Sequence, residues 1–290
     1  DGRTEFTTNP GDLGDDLLVQ GFSTRLELNE RTAIDMSLEH SLNLSEPDSG
    51  LTSIALGGTW ESRDGDWVAE ANLDQTFEKT GNTFYADIGL AGEISPGVTV
   101  LARGRHARDG RSGQNARIRE RLRVGAAYRP LDDARFNALG WYEYQRDRDI
   151  NEETQHLWSR AGTWDIRPDL RVNGKYAGQY SSLSSPLGGI ETSSLTQLMQ
   201  AGVTWDALPE KLELSGNVYH MWDDDGFAAQ AYGIEAGYVF AKGAMVSIGY
   251  NHATEQLPFQ TRHFQKGLYL RLRLKLTENL WDQLDNFLSQ

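Results

Sequence analysis

Three groups of residues in this 290-residue chain carry side chains that can do chemistry. The first is a set of six histidines: His40, His106, His156, His220, His252 and His263. A zinc site asks for two histidines at i and i+4 on a helix, or an equally short fixed spacing, and none of the six is so placed. A nucleophile–base pair such as Ser159 with His156 lacks a shared strand face and lacks a third group to orient the base. The second group is the acidic run Asp223-Asp224-Asp225 before Gly226. It has neither the spaced ligands nor the closing glutamate of a calcium loop, and reads as a tight, solvated turn. The expectation is a chain that is not an enzyme, holds no metal and needs no cofactor.

The third group is larger. Arg103, Arg105, Arg117, Arg119, Arg121 and Arg123 recur at every second residue in two neighbouring stretches, and Arg171, Lys175, Arg271, Arg273 and Lys275 extend the pattern. Acids at inward positions of other stretches oppose them: Glu70, Asp87, Glu143 and Glu235, with Glu27, Asp35, Glu39, Asp74, Glu93 and Glu213. A cationic wall facing an anionic one across a wet space sets up a transverse field and some ion selectivity. The same mixture can instead fill a polar interior by pairing, because a buried charge must be paired or hydrated. Both readings stand on the sequence.

What positions these charges is a strand pattern. From Leu268 to Leu276 every second residue is leucine, and the residues between are Tyr269, Arg271, Arg273 and Lys275. A period of two marks a strand with two different faces. In a soluble sandwich the apolar face meets a core; in an outer-membrane barrel it meets lipid, and the charged face meets a lumen. Recurrence separates the two. Strands are expected near 17–28, 32–44, 51–61, 66–77, 82–94, 98–109, 116–129, 134–146, 155–166, 169–181, 193–206, 211–223, 227–240, 244–254 and 265–276. Soluble strands average about five or six residues, whereas a tilted strand needs about ten to cross a bilayer. Short turns such as Ser95-Pro-Gly97 and Arg167-Pro-Asp169 alternate with longer polar segments such as Asp109 to Asn115, Asp147 to Thr154 and Ser181 to Ser194. That alternation matches short periplasmic turns opposite longer external loops. Trp60, Trp67, Tyr128, Tyr144, Tyr176, Trp205, Trp222, Tyr238 and Phe240 fall near strand ends on apolar faces, as interfacial girdles require. Fifteen strands is an odd count, so a weak first strand within Arg3 to Asn9 is expected to complete sixteen, with fourteen the alternative.

Composition narrows the class. The absence of cysteine removes disulfides, thiolate metal sites and cysteine nucleophiles. A net charge of −14 opposes nucleic acid as a partner. A mean hydropathy of −0.56 and the lack of an eighteen-residue apolar run exclude a transmembrane helix, not a barrel. A chain that opens on Asp1 is expected to be a mature or excised segment of an exported protein. After Leu276 the period changes: Leu280, Trp281, Leu284, Phe287 and Leu288 have helical spacing behind Thr277, a plausible N-cap. The expected organisation is a lead-in over 1–16, a transmembrane β-barrel over 17–276 and an amphipathic helix over 277–290.

Gln265, Gly267, Leu270 and Leu272 fit a large polar residue followed by x-Gly-x-x-apolar-x-apolar, and this closing segment resembles the C-terminal assembly signal of outer-membrane barrels. Such barrels usually end at an aromatic residue on that strand, whereas this chain continues past it. Val124-Gly-Ala-Ala-Tyr-Arg-Pro130, Phe136-Asn-Ala-Leu-Gly-Trp-Tyr-Glu-Tyr144, Lys175-Tyr-Ala-Gly178 and Val246-Ser-Ile-Gly-Tyr-Asn251 resemble the C-terminal barrel domain of large proteobacterial surface proteins. The resemblance implies an anchor or translocator of a larger surface protein in a Gram-negative outer membrane. Its implied partners are outer-membrane lipid, the barrel-assembly machinery and an upstream passenger or repeat region. The alternative is a stand-alone porin-like channel or export pore with an arginine-lined lumen.

Overall fold

The computed structural model describes residues 2–7, 17–43, 50–111, 113, 115–130, 132, 135–185, 188–241, 243–254 and 266–274. They form sixteen strands. These are β1 (Gly2–Thr7), β2 (Leu17–Asn29), β3 (Thr32–Asn43), β4 (Leu51–Glu61), β5 (Trp67–Glu78), β6 (Gly81–Ser95), β7 (Val98–Arg111) and β8 (Arg117–Tyr128). Then follow β9 (Phe136–Arg148), β10 (Glu152–Arg167), β11 (Leu170–Ser185), β12 (Ile190–Leu208), β13 (Leu212–Asp223), β14 (Ala228–Ala241), β15 (Ala244–Ala253) and β16 (Gly267–Leu274). Each pairs with its sequence neighbours in one sheet, β1 and β16 being its two ends, and the defined registers are antiparallel. The expected weak strand near the N-terminus is β1, which pairs with β2 from Gly2↔Phe22 to Thr7↔Leu17.

Two compact units can be distinguished. The first holds Asp1–Ala127, Trp141–Leu157 and Tyr180–Ser193; the second holds Tyr128–Gly140, Trp158–Gln179 and Ser194–Gln290. Local rules explain the tight turns. Pro96 presets the first corner of the β6–β7 turn, and Gly97 supplies the positive φ of 78° at the second. Its N–H donates to Glu93 Oε1 at 2.8 Å.

Several expected loops are shorter than the sequence suggested. The polar stretch Ser181 to Ser194 is mostly strand, since β11 runs to Ser185 and β12 begins at Ile190. Likewise β7 continues to Arg111 and β9 to Arg148. Apolar alternation stops where side chains leave an apolar environment, but the backbone ladder needs only hydrogen-bond partners and runs on. Gln265, Lys275 and the segment 277–290 lie outside the described residues.

Burial is inverted relative to a water-soluble protein. Among the described residues the buried apolar side chains are Ala33, Tyr219, Ala229, Ala231, Ala244, Met245 and Ala253. Leu268, Leu270, Leu272, Ile234, Ile88 and Ile248 are each more than half exposed. Leaving a leucine or isoleucine in water forgoes about 1.5–3 kcal/mol of burial energy, so dozens of them require an apolar solvent.

Candidate functional site

The charged residues come together on the polar face of the same strands. In the first unit, Asp87 of β6 stands opposite Arg105 of β7, and Arg103 is two residues along the same face. Arg103 holds the carboxylate with two prongs, Nε to Oδ1 at 2.8 Å and Nη2 to Oδ2 at 2.7 Å. Arg105 Nε adds a bond of 3.0 Å to Oδ2, and the Tyr85 hydroxyl donates another of 3.0 Å. Glu70 of β5 lies 3.7 Å from Arg103. Asp87 is buried, whereas both arginines remain partly exposed. Charge-assisted, bidentate contacts of this kind fix geometry as well as energy.

The arrangement repeats two strands on. Glu143 of β9 is fully buried and is gripped by Arg123 and the Gln145 amide at close contact, with Arg121 Nε at 3.3 Å. The Arg123 guanidinium also lies 5.1 Å from the Trp141 ring centre. Arg117 forms a forked pair with Asp147, at 2.9 and 2.6 Å. Arg119 has no ion pair within 4 Å among the described residues and lines a cleft with Arg105, Arg121, Tyr85 and Gln145, which the acids Asp147 and Glu153 also line.

In the second unit, Glu235 of β14 accepts a hydrogen bond of 2.6 Å from Tyr269 and an ion pair of 3.1 Å from Arg271, both on β16. Arg273 reaches Glu213 of β13 at 3.9 Å, and Arg171 bonds Asp165 at 2.6 Å. Lys175 is exposed with no ion pair among the described residues. Tyr269 lies flat over Gly249, its register partner on β15, where a Cβ would overlap the ring. Gly267 opens β16, and Leu270 and Leu272 face outward from it.

Acids and arginines pair within this face, and Tyr85, Gln145 and Tyr269 join the pairs. The first two were legible as polar residues two positions from Asp87 and Glu143. Charges also stand on the apolar face, Glu120 and Arg160 among them. Glu120 shares the face of Leu122 and Val124 and meets His106 and Arg146. Arg160, whose sequence context left β10 without a clear facing, packs its stem beside Gly140 on the apolar face, with no ion pair among the described residues.

Sixteen strands joined in sequence order, with exposed apolar residues on one face and paired charges on the other in β6, β8, β14 and β16, define the architecture of transmembrane β-barrels. No family model matches the chain, and no curated protein matches it in sequence. Three solved structures among those similar to it are outer-membrane proteins. A loop-deletion mutant of OmpT from Vibrio cholerae aligns over 87% of this chain and 99% of its own, at 11% identity and a TM-score of 0.39. The siderophore receptor PirA from Pseudomonas aeruginosa aligns over 94% and 79%, at 12% identity and a TM-score of 0.42. An anion-selective porin from Comamonas acidovorans aligns over 72% and 80%, at 10% identity and a TM-score of 0.32. Scores this low carry no argument, and the class rests on the strands and their two faces.

Proposed function

We propose that the chain is a non-enzymatic barrel of a Gram-negative outer membrane whose polar face lines a water-filled lumen passing small anions. One observation carries this reading: Asp87 and Glu143 each sit between two partly exposed arginines, and Arg119 between them has no ion pair within 4 Å among the described residues. The wall of β7 and β8 therefore keeps a surplus of hydrated positive charge, which a pore converts into anion preference. A polar filling without flow would instead match each cation with an acid. The test is the reversal potential of the protein in planar bilayers under a potassium chloride gradient. Steady openings that reverse toward the chloride potential support the reading; cation preference opposes it.

The second reading is an anchor or translocator of a larger surface protein. It is favoured by the glycine–aromatic phrases carried by β8, β9, β11 and β15. In that case the intact protein is silent in bilayers, and openings appear once residues 277–290 are removed.

A further inference from the structure

The polar face of the second unit carries an asparagine on every second strand from β11 to β15. Gly202 of β12 stands opposite Asn217 of β13, and Asn217 opposite Gly233 of β14. Gly233 stands opposite Asn251 of β15, and Asn251 opposite Gly267 of β16. Asn173 of β11 reaches over Gly202 from the other side. Amide and glycine therefore alternate along one row across six strands, all within the second unit. With strands about 4.8 Å apart, successive amides stand about 9.6 Å from one another.

Glycine occupies the row for clearance. Neither Gly202 nor Gly233 has a positive φ, so no backbone strain asks for glycine there. A Cβ on Gly202 would instead overlap the amides of Asn173 and Asn217, and one on Gly233 the amide of Asn251. The missing side chains let the amides lie along the wall of a cleft of about 660 Å³. That volume is within the range of small-molecule sites, about 300–1,000 Å³.

The groups that this cleft leaves open are neutral. The amides of Asn173 and Asn217 make no hydrogen bond among the described residues. Neither do the hydroxyls of Thr204 and Ser215, which stand opposite each other two residues along the strands. All four side chains line the cleft and are half-buried. The charges beside them are paired: Arg171 with Asp165 at 2.6 Å, Arg271 with Glu235 at 3.1 Å and Arg273 with Glu213 at 3.9 Å. Lys266, which precedes β16, is the one lining charge without an ion pair among the described residues. Nearby on the same face, Lys175 and Asp206 offset each other in sign. An amide both donates and accepts hydrogen bonds, and so does a solute hydroxyl, whereas a charged solute asks for unpaired charge of the opposite sign.

We propose that this row binds an uncharged, polyhydroxylated solute, a neutral saccharide, on the polar face of the second unit. Its hydroxyls replace the water that otherwise satisfies the amides of Asn173 and Asn217 and the hydroxyls of Thr204 and Ser215. The site goes beyond the anion passage assigned to the wall of β7 and β8, and needs only that its own face be wet.

The test folds the full chain into amine-oxide micelles and titrates it by calorimetry with maltotetraose and with cellotetraose. Saturable binding of at least one is expected, unchanged between about 0.05 M and about 0.5 M salt, because no charge is engaged. Asn173→Ala with Asn217→Ala is expected to weaken it about tenfold, through loss of the hydrogen bonds of two amides. Asn72→Ala removes an amide that lies over Gly57 in the first unit and is expected to leave binding unchanged. Should the double variant fail to fold, Thr204→Val with Ser215→Ala is expected to weaken binding by a smaller factor. No binding of either sugar, or binding undiminished in these variants, overturns the inference. Tighter binding of a galacturonate tetramer that fades with salt overturns it as well, in favour of an anionic ligand. Chloride-selective openings in planar bilayers without saccharide binding leave the anion pore standing and remove this site. Saccharide binding without openings supports the site and counts against the pore.

Discussion

The two faces of β16 differ sharply in what they touch. Leu268, Leu270, Leu272 and Leu274 form one face and are exposed, two of them by more than three-quarters. One residue away, Tyr269, Arg271 and Arg273 form the other face and reach acids on β13 and β14. The apolar face makes almost no specific contacts and depends on its surroundings being lipid. The polar face depends on partners two and three strands away. Lipid is a forgiving partner for any aliphatic side chain and a hostile one for a charge, whereas the polar face tolerates loss of a charge and responds through its field.

That contrast orders the expected effects. Leu270→Arg or Leu272→Arg puts a cation on the lipid face, where arginine costs about 2–4 kcal/mol at the midplane. Assembly is expected to fail, read as loss of the heat-modifiable folded band. Normal yield would break the assignment of that face. Arg160→Leu is the same experiment in reverse, because Arg160 already stands mid-strand on the apolar face of β10. Its removal is expected to raise the unfolding free energy measured by urea titration by about 2–4 kcal/mol at most. A fall in stability would mean that Arg160 meets a partner outside this chain.

On the polar face, Asp87→Asn leaves Arg103 with Glu70 and Arg105 without an ion pair among the described residues. The loss is expected to be about 1–2 kcal/mol, discounted because both arginines are partly hydrated, together with a stronger preference for anions. Arg119→Ala with Arg121→Ala is expected to leave folding unchanged and to weaken anion preference in the reversal potential. Unchanged currents would favour a filled lumen.

Much of this was legible in the sequence, for reasons visible at particular residues. The alternation in β3, β6, β8, β14 and β16 assigned their facings because apolar side chains keep to one face of each, with Glu120 of β8 the exception. β1 was legible only through parity, since Thr4-Glu-Phe-Thr-Thr8 alternates poorly. The extensions of β11 and β12 were not legible, because Ser181 to Ser185 and Ile190 to Ser194 lie where no apolar solvent enforces a pattern. Within the candidate site the grouping of acids and arginines on one face was legible from alternation. Which acid takes which arginine was not, because it depends on register: Asp87 stands opposite Arg105, yet its forked bond is to Arg103.

The absence of cysteine makes the central claim directly measurable, because single cysteines can be placed on either face of β16 without background labelling. In vesicles, a membrane-impermeant, water-soluble maleimide added from both sides is expected to label Arg271→Cys and Arg273→Cys and to spare Leu270→Cys and Leu272→Cys. Labelling at every position, or with the opposite phase, would contradict the assignment of one face to lipid and the other to a wet lumen.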